Sequence, residues 1–558
     1  MKLSNLAATV FILVTSFASA QTLDELKNDG QNAENITTYG MGYSLQRYSP
    51  LKQIDKLTVK RLVPVWSLSL NNDLGEQAQP LIYSGVMYVT NVKWTVALDM
   101  ATGRQIWRTP VDWDPATPRV VCCGVSNKGA AIFNGKLFRT TLDAFIVALD
   151  LKTGKEVWKQ KLAEWKEGYS SIAAPLVANG VLITGMSGAE YGVRGFLDGW
   201  DPDSGNKLWR RYTVPGPGEL GFETWPAETD AYQHGGGSTW VTGSYDPDLD
   251  LVYWGTGNAA PWNPSTRSGD SLYTAGVVAI RPKTGDVVWH YQWTPNDMYD
   301  YDGVNENVLA DIHIGNETRK VLIHADRNGF LYVLDRINGK VIAAHTFEKI
   351  NWAERIDVVS GRPVLTELSK RMIAGELVEM WPGPRGGKNW APMAFNPKTG
   401  LVYLNSLHQP RLIKLVPPGE YKPGQRFTGA ETKIPEVKLG DPWGYYMAID
   451  PLTGETKWKV ALLDFAQWAG MLATDGGLIF TGKLTGEFIA IDDDTGKILW
   501  QFQTGSGINA PPITYTYKGR QYVTVLSGLG GLSAVSGTPV RQFVPPGGSV
   551  WTFALMPE

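Results

Sequence analysis

Short apolar runs with the character of β-strands recur along the chain and alternate with polar, glycine-containing turns, as at residues 85–89 and 136–139. One phrase returns many times: an apolar pair, an Asp, a turn that ends in Gly, and a Trp four residues after that Gly. The phrase predicts a strand, a tight turn whose glycine has a positive φ angle, and a second strand. The Trp is expected to pack between neighbouring units.

The phrase has full and degenerate copies. The full copies are Gly103 with Trp107, Gly154 with Trp158, Gly205 with Trp209, Gly285 with Trp289, Gly454 with Trp458, and Gly496 with Trp500. The degenerate copies are residues 335–339, with Ala343 in the Trp place, and 396–400, with Leu404 there. A repeat of about 40–50 residues built of four short strands is typical of a β-propeller. We therefore predict an all-β, eight-bladed β-propeller with tryptophan-docking repeats, closed by a strand at 63–68 against the C-terminal strands.

The N-terminus differs from the rest of the chain, because Lys2 precedes an apolar run at 6–17 that is followed by Ala18-Ser19-Ala20. These features are typical of a secretory signal peptide. We predict that residues 1–20 are such a peptide and that 21–558 form a single propeller domain in an oxidising compartment, the periplasm if the source is a Gram-negative bacterium. A membrane anchor fits less well, since the run is short and small residues follow it.

Composition excludes some classes of partner. The net charge is −3 and acidic and basic residues are interspersed, so nucleic acid is not expected to bind. No later segment has the roughly 18 consecutive apolar residues that span a bilayer, so no membrane span is expected. The 22 Trp and 61 Gly instead suggest many tight turns with regularly placed aromatic anchors.

The two cysteines, Cys122 and Cys123, are adjacent in the sequence. In an oxidising compartment such a pair can close into a disulfide ring, and two reduced, buried thiols are the alternative. A disulfide here would close a loop with no residues in it, so a role in stability is not expected. No C-x-x-C-H motif occurs, so attachment of haem c to this chain is not expected.

Carboxylates are concentrated in the stretch 299–306, where Asp300 and Asp302 stand two residues apart. In an extended segment the two side chains point to the same side, and their charges repel unless a cation or a proton lies between them. A solvated turn is the alternative for an isolated Asp-x-Asp. Glu190 and Asn258 complete a set of oxygen donors that suits Ca²⁺ or another hard cation rather than zinc.

Four stretches interrupt the repeat: 122–129, 186–195, 235–240 with 255–263, and 299–306 with 326–329. They contain the cysteine pair, S-G-A-E-x-G-V-R-G, G-T-G-N-x-A-P-W-N and D-x-D-G-V-N, in that order. Together with the Trp repeat, they resemble the pyrroloquinoline quinone (PQQ)-dependent methanol/ethanol dehydrogenase family. The resemblance extends from residues 43–51 to the end of the chain.

The resemblance implies roles for individual residues. The metal would be held by Glu190, Asn258 and Asp300, and Asp300 would also be the general base. PQQ would lie between Trp240 and a Cys122–Cys123 disulfide. The other implied contacts of the cofactor pocket are Arg327 to the quinone oxygens, Lys128 to a quinone carboxylate, and Ser187, Asn389, Trp390 and Trp468 along its walls.

One residue refines the expected metal. Asp302 stands two places after the base, as in the family members that use lanthanides, whereas the calcium enzymes have a small or neutral residue there. A trivalent ion also gains more from an extra carboxylate than a divalent ion does. A lanthanide is therefore expected at Glu190, Asn258, Asp300 and Asp302, with Ca²⁺ as the alternative.

Three positions depart from the family pattern. Lys128 stands where an Arg is usual, Gln77 where a Glu is common, and Ile172 where a Thr is often found. Lysine keeps the positive charge of arginine but loses its two-pronged geometry. These departures affect the expected details of cofactor binding.

The resemblance predicts oxidation of primary short-chain alcohols to aldehydes by hydride transfer to PQQ, with electrons passed to a soluble cytochrome c. An ethanol-type enzyme is preferred, and a methanol-dedicated one is the alternative. A homodimer is the assembly considered. The hypothesis of a different class is a non-catalytic propeller scaffold of the cell envelope, which would not require the cysteine pair or the converging carboxylates.

Overall fold

The computed structural model describes residues 21–435, 440–531 and 539–557. The predicted signal peptide, residues 1–20, lies outside the described residues. Among those residues no helix is long and apolar enough to cross a membrane. The described part of the chain has two α-helices, both short, Leu23–Lys27 and Glu367–Ile373. The 3₁₀ turns are Asp29–Gln31, Val59–Arg61, Thr117–Val120, Trp165–Glu167, Ala189–Tyr191, Phe222–Thr224, Ala231–His234, Pro264–Thr266 and Pro539–Gln542.

The rest of the regular structure is β-sheet, mostly as meanders of four antiparallel strands in chain order. We number these sheets 2 to 5 as they follow along the chain. Sheet 2 consists of Leu81–Tyr83, Val86–Thr90, Trp94–Asp99 and Gln105–Pro110. Sheet 3 consists of Ala131–Phe133, Lys136–Thr140, Phe145–Asp150 and Glu156–Lys161. Sheet 4 consists of Leu176–Ala178, Val181–Thr184, Phe196–Trp200 and Lys207–Tyr212. Sheet 5 consists of Ser244–Asp246, Leu251–Thr256, Gly276–Ile280 and Val287–Gln292.

The second half of the chain continues the series with sheets 6 to 8. Sheet 6 consists of Val308–Ile314, Glu317–Ala325, Phe330–Asp335 and Val341–Thr346. Sheet 7 consists of Ala394–Asn396, Leu401–Leu407, Gly444–Ile449 and Thr456–Leu462. Sheet 8 consists of Leu472–Thr474, Leu478–Gly482, Glu487–Asp492 and Ile498–Gln503, with Tyr48–Ser49 added in parallel to its first strand.

Sheet 1 joins the two ends of the described chain. It consists of Leu62–Ser69, Ile513–Tyr517, Arg520–Ser527 and Ser549–Leu555. The strand Leu62–Ser69 pairs with Ser549–Leu555, with Ser67 opposite Trp551. The predicted pairing of the strand at 63–68 with the C-terminal strands is confirmed.

Two smaller sheets lie outside this series, between sheets 6 and 7 in the chain. One is the hairpin of Ala353–Asp357 and Arg362–Leu365. The other, which we call the small sheet, consists of Val378–Met380, Arg411–Leu415 and Ala430–Lys433.

Consecutive sheets are joined by contacts between an aromatic ring and a turn. At each turn glycine a Cβ atom would collide with the ring on the preceding sheet, and the glycine has a positive φ. The ring and glycine pairs are Trp66 and Gly103, Trp107 and Gly154, Trp158 and Gly205, Trp209 and Gly285, Trp289 and Gly339, His345 and Gly454, and Trp458 and Gly496. Each ring N–H of these tryptophans also donates a hydrogen bond to a carbonyl of the next sheet's turn, as Trp209 Nε1 does to Pro282 O at 2.9 Å. An eighth ring continues the pattern, because Trp500 Nε1 on sheet 8 donates to Leu62 O on sheet 1 at 3.0 Å.

Of the two degenerate copies of the repeat, one forms a docking turn and the other does not. Residues 335–339 form the expected turn, but the ring that contacts the next turn is His345, two residues beyond Ala343. The copy at 396–400 is not a docking turn: Gly400 lies in the hairpin between Ala394–Asn396 and Leu401–Leu407, and a Cβ there would meet no atom within 4 Å. That assignment was wrong, because sheet 7 already carries its docking turn at Gly454.

Candidate active site

A cavity of about 620 Å³ lies among the loops that interrupt the repeat. Its lining contains nearly all of the residues that the sequence analysis assigned to a site. Those predicted residues are Cys122, Cys123, Lys128, Ser187, Glu190, Trp240, Asp300, Asp302, Arg327, Asn389 and Trp390. Asn258 and Trp468 do not line the cavity but pack directly behind residues that do. Loops separated by more than two hundred positions in the sequence therefore meet at one place.

Cys122 and Cys123 form a disulfide. Cys122 packs on an apolar cluster that includes Met186 and Tyr191, which flank the loop that carries Glu190. The following Gly124 has φ +79, and a Cβ on it would press against the backbone of Gly531 at 3.3 Å. The disulfide is thus fixed from both sides as a wall of the cavity.

The turn that carries Asp300 is held by hydrogen bonds from behind. The carboxylate of Asp297 accepts the backbone N–H groups of Tyr299 at 3.0 Å and Tyr301 at 3.1 Å. The Tyr301 hydroxyl donates to Pro382 O at 2.6 Å. Asp300 itself has φ +64, a left-handed conformation that is uncommon for a residue other than glycine and is tolerated where the surroundings enforce it.

The stretch 299–306 is therefore not extended at Asp300, and the expected alternation of side chains does not apply there. Asp300 and Asp302 nevertheless converge, because both approach the guanidinium of Arg327. Arg327 Nη2 lies 2.7 Å from Asp302 Oδ2, and Nη1 lies 3.8 Å from Asp300 Oδ2. Convergence comes from a turn and a shared arginine rather than from a strand.

Asp302 is fully engaged with the protein. Its Oδ2 accepts the indole N–H of Trp240 at 3.1 Å as well as Arg327, and its Oδ1 accepts the backbone N–H of Asn258 at 2.7 Å. Its side chain is only 3% exposed. Asp302 thereby links Trp240, in the cavity wall, to the loop that carries Asn258.

Asp300 and Asn258 contrast with Asp302. Asp300 Oδ1 and Asn258 Oδ1 are buried and have no hydrogen-bond partner in the described structure, and the same is true of Ser187 Oγ. A buried acceptor without a partner is costly, and such atoms mark places where a ligand or an ion belongs.

Burial also shifts the pKa values of the acidic side chains in the site. It raises the pKa of the Asp300 carboxyl well above its ordinary value; Arg327 opposes the rise, and the charges of Asp302 and Glu190 add to it. Burial raises the pKa of Glu190 as well, with a further rise from the charge of Asp302. The carboxylates of Asp302 and Glu190, whose charges act on Asp300, together with the buried amide oxygen of Asn258, offer only oxygen donors, the type that a hard cation prefers.

Glu190 reaches the site from a tight turn. It lies on the 3₁₀ turn Ala189–Tyr191 between Gly188 at φ +131 and Gly192 at φ +64. Its backbone carbonyl accepts the N–H of Phe427 at 2.7 Å. This bond ties the Glu190 turn to the segment that leads into the small sheet.

The three departures from the family pattern are neighbours. The buried Lys128 Nζ donates to Gln77 Oε1 at 3.1 Å, and the Lys128 backbone N–H donates to Ile172 O at 2.9 Å. Burial lowers the pKa of Lys128 well below its ordinary value. Its ammonium group lies 3.2 Å from the ring centroid of Trp390 and 5.5 Å from that of Trp240. An acidic ligand group would compensate this buried cation.

Aromatic side chains form the floor beside Lys128. Trp240 and Trp390 belong to one apolar cluster with Trp468, which is buried behind them. The Asn389 side-chain amide donates to Arg385 O at 2.8 Å and so anchors the loop that precedes Trp390. A flat cofactor between Trp240 and the disulfide is consistent with these walls.

Several lining residues carried no recognisable signal in the sequence. They are Arg385, Arg411, Arg426, Thr428 and Thr432, with Trp262 at the end of a recognised motif. All but Arg385 and Trp262 come from the small sheet and the segment between its last two strands. This sheet lies outside the repeat, so no spacing rule pointed to it.

Comparison with known proteins gives one consistent result. A family model described as the glucose/ethanol/alcohol dehydrogenase β-propeller domain of PQQ enzymes matches residues 37–351 and 344–523. Quinohemoprotein alcohol dehydrogenase ADH IIB of Pseudomonas putida is 41% identical over 520 residues, covering 90% of this chain and 74% of that protein. Quinoprotein alcohol dehydrogenase PedH of Pseudomonas putida is 40% identical over 586 residues, covering 99% and 96%.

A solved structure of a europium-containing methanol dehydrogenase superposes with a TM-score of 0.89 at 35% identity, covering 95% of this chain and 100% of the other. The sequence comparison and the structure comparison thus give the same result along nearly the whole chain. With the vicinal disulfide, the converging carboxylates and the tryptophan walls in place, the chain belongs to the family of PQQ-dependent alcohol dehydrogenases, enzymes with a β-propeller domain.

Proposed function

We propose that this protein oxidises primary short-chain alcohols to aldehydes in the periplasm and passes the electrons to a soluble cytochrome c. The observation that carries the proposal is the buried Asp300 Oδ1, which has no hydrogen-bond partner among the described residues and lies in a cavity walled by the Cys122–Cys123 disulfide and Trp240. A carboxylate held in this state is a base poised to accept a proton from a bound hydroxyl.

The residues divide the work between binding and proton transfer. PQQ, when bound, supplies the two-electron acceptor for the hydride of the carbinol carbon. Asp300 accepts the hydroxyl proton of the alcohol. Arg327 provides guanidinium N–H donors at the head of the cavity, and Lys128 provides positive charge for an acidic group of the cofactor. Trp240 and the disulfide would exclude water from the two faces of the bound cofactor. Ser187, Asn389 and Trp390 contribute to the cavity walls, and Trp468 packs behind Trp390.

The metal would be held by Glu190, Asn258, Asp300 and Asp302, and we propose a lanthanide ion, with Ca²⁺ as the alternative. Two observations support the trivalent ion. Three carboxylate side chains line the cavity with Asn258 packed behind them, and a structural relative is a europium-containing enzyme. The bound cation would stabilise Asp300 in its ionised form, since a nearby positive charge lowers the pKa of a carboxyl.

We propose that residues 21–558 form a single ring of eight blades, sheets 1 to 8, and that residues 1–20 are a cleaved signal peptide. The ring and turn contacts support this closure, because seven of them run from each sheet to the next and Trp500 returns to Leu62 on sheet 1. The N-terminal sequence supports export to the periplasm.

The test is alcohol-dependent dye reduction by the purified apoprotein after addition of PQQ, with La³⁺ compared with Ca²⁺. We expect activity on ethanol and longer primary alcohols that requires PQQ and is greater with La³⁺. Activity with Ca²⁺ alone would retain the enzyme and overturn the lanthanide assignment, and activity on methanol alone would favour a methanol-dedicated enzyme. Inactivity with both metals on every alcohol would favour the scaffold.

A further inference from the structure

The small sheet sends one long connection to the cavity. Residues 416–429 join the last two strands of this sheet, and the backbone N–H of Val416 donates to Gly429 O at 3.0 Å, so the two ends of the connection meet. Arg426 and Thr428 on this connection line the cavity. We call residues 416–429 the bridging segment.

Two consecutive residues of the bridging segment bind loops that carry two different ligands of the proposed metal set. The backbone N–H of Phe427 donates to the carbonyl of Glu190 at 2.7 Å. The carbonyl of Thr428 accepts the backbone N–H of Trp262 at 2.7 Å. Trp262 follows Asn258 in the same loop. The segment therefore joins the Glu190 turn to the Asn258 loop through backbone hydrogen bonds.

The Glu190 turn and the bridging segment are also packed against each other. A Cβ added to Gly192, directly after the turn, would lie 2.9 Å from Phe427 Cδ1 and 3.1 Å from Tyr421 Cε2. The Tyr421 ring is itself stacked on His234, with 3.7 Å between the ring centroids. A displacement of the segment therefore displaces the support of the Glu190 turn.

Farther from the cavity the segment is anchored to a third loop. The backbone N–H of Gly424 donates to Glu167 O at 3.1 Å, and a Cβ on Gly424 would lie 2.4 Å from Lys166 O. Gly419 on the same segment has a similar φ, +75 against +69, but open space where its Cβ would be. A methyl group at Gly424 would therefore push the segment off its anchor, whereas one at Gly419 would not.

Occupancy of the metal set and the position of the segment influence each other. The like charges of Glu190 and Asp302 repel, and the charge of Asp302 raises the pKa of Glu190. A cation bound to both carboxylates removes this repulsion and favours the arrangement of the Glu190 and Asn258 loops that the segment bridges. Thermodynamic linkage then requires the seated segment to favour the cation by the same factor.

We infer that the bridging segment is a positioning element of the metal site: its backbone bonds hold the loops of Glu190 and Asn258 at the spacing that the cation requires, and the bound cation in turn fixes the segment. This inference rests on the proposed function and adds a conformational coupling to the same site. Because Arg426 and Thr428 belong to the lining, the cation also fixes this part of the cavity wall.

The alternative is a segment that covers the cavity and contributes only to stability. A displaced segment would then lower the free energy of unfolding but leave the affinity for the cation unchanged. The cation, for its part, would not protect the segment. Hydrogen exchange and metal titration separate the two explanations.

The first experiment measures hydrogen exchange in the PQQ-loaded protein with and without La³⁺ or Ca²⁺. We expect the cation to slow the exchange of the Phe427 amide, which donates to Glu190 O, by about tenfold. The hairpin of Ala353–Asp357 and Arg362–Leu365 lies outside the lining and is the internal control, so its exchange should not change. In Glu190→Gln the slowing should disappear, because this variant removes one proposed ligand.

The second experiment compares Gly424→Ala with its matched control Gly419→Ala by La³⁺ titration of the PQQ-loaded protein. Gly424→Ala should weaken La³⁺ binding by about tenfold, a typical loss when the support of a metal ligand is disturbed. Gly419→Ala introduces the same backbone strain and should stay within about twofold of wild type. Urea unfolding of both variants shows whether the affinity follows the contact with Lys166 or the overall stability.

Equal La³⁺ affinity of the two glycine variants would overturn the inference, as would exchange of the Phe427 amide that neither cation slows in the wild type. Slowing that persists in Glu190→Gln would also overturn it, since the cation would then act from another place. Absence of cation binding to the wild type would overturn the inference together with the proposed metal set. Failure of alcohol oxidation alone is distinguishable, because neither measurement depends on turnover.

Discussion

The docking contacts and the cavity loops differ in the hydrogen bonding of their buried polar atoms. In the docking contacts each indole N–H has a carbonyl partner on the next sheet, and the same geometry recurs from Trp66 to Trp500. In the cavity, Ser187 Oγ, Asn258 Oδ1 and Asp300 Oδ1 are buried and have no hydrogen-bond partner among the described residues. The first region is periodic and satisfied, so its residues stabilise the fold. The second region is aperiodic, and its buried polar atoms without a partner are available to bind ligands.

The largest effect is expected at Asp300, the candidate base. Asp300→Asn keeps the size of the side chain but removes the base, so activity should fall by about 10³-fold or more. The thermal midpoint should not decrease, because the variant no longer buries a carboxyl whose pKa is raised. Dye reduction and thermal unfolding measure the two quantities, with the exposed Asp203→Asn as control. If Asp300→Asn retained activity within tenfold of wild type, Asp300 would not be the base.

The next largest effect is expected at Asp302, whose two carboxylate oxygens both accept hydrogen bonds from the protein. Asp302→Ser removes contacts to Arg327, Trp240 and Asn258 together with one proposed metal ligand. We expect La³⁺-dependent activity and La³⁺ affinity to fall about 10²-fold, with a smaller loss for Ca²⁺. Metal titrations of the PQQ-loaded protein provide the measurement. An equal loss with both ions would mean that Asp302 only positions Arg327 and Trp240.

A docking turn should show the reverse signature, a loss of stability without loss of catalysis. At Gly205 a Cβ would lie 2.7 Å from Trp158 Cδ2, so Gly205→Ala should lower the free energy of unfolding by about 2–3 kcal/mol. Gly135 has nearly the same φ, +71 against +73, but open space around it. Gly135→Ala should therefore cost only about 1 kcal/mol of backbone strain.

Urea unfolding measures both of these variants, and activity per folded molecule should be unchanged in each. Equal destabilisation by Gly205→Ala and Gly135→Ala would show that the indole contact adds nothing to the turn. A loss of activity confined to Gly205→Ala would show that the docking contacts also set the geometry of the cavity.

Glu76 tests whether an unpaired buried acid can be purely structural. Burial raises the pKa of Glu76 to about 8, against hydrogen bonds from Asn72 and Asn91 to Oε1 that lower it, and Oε2 has no partner in the described structure. Because the pKa is raised in the folded state, this group stabilises the fold fully below about pH 4.5, and the contribution is lost as the pH rises through about 8.

Glu76→Gln keeps an acceptor and cannot ionise. Relative to wild type, its unfolding free energy should therefore increase by about 3–4 kcal/mol between pH 5 and pH 8, measured by urea unfolding at both values. The exposed Glu156→Gln is the control and should show no such change. A difference that does not depend on pH would place the ionised carboxylate in the folded protein.

The sequence analysis predicted the docking turns well because their signal is local. Glycine and Trp stand four residues apart in one hairpin, so six turns could be recognised from single segments, although each Trp contacts the glycine of the next sheet. His345 was missed since an imidazole replaces the indole two positions later, and Gly400 was misassigned since an ordinary hairpin uses the same turn residues. Neither error could be corrected without knowing which strands pair.

The site was predicted through motifs rather than through geometry. The resemblance assigned roles to eleven of the lining residues, but the sequence did not indicate the left-handed Asp300 or the bonds that occupy Asp302. Arg411 and Arg426 were also missed, since they reach the cavity through long-range pairing of the small sheet. Residues brought together by tertiary structure alone leave no periodic trace in the sequence.

The uniformity of the docking contacts has a consequence for how the chain folds. Any docking Trp fits any docking glycine, so the contacts alone do not encode which sheets become neighbours, and out-of-order pairing is an accessible misfolded state, as in other repeat proteins. Correct order then depends on the connections between consecutive sheets, which make adjacent pairs meet first. The imidazole link, His345 against Gly454, differs from the other docking contacts of the described residues. It spans the longest interruption between two sheets, where chain connectivity guides pairing least.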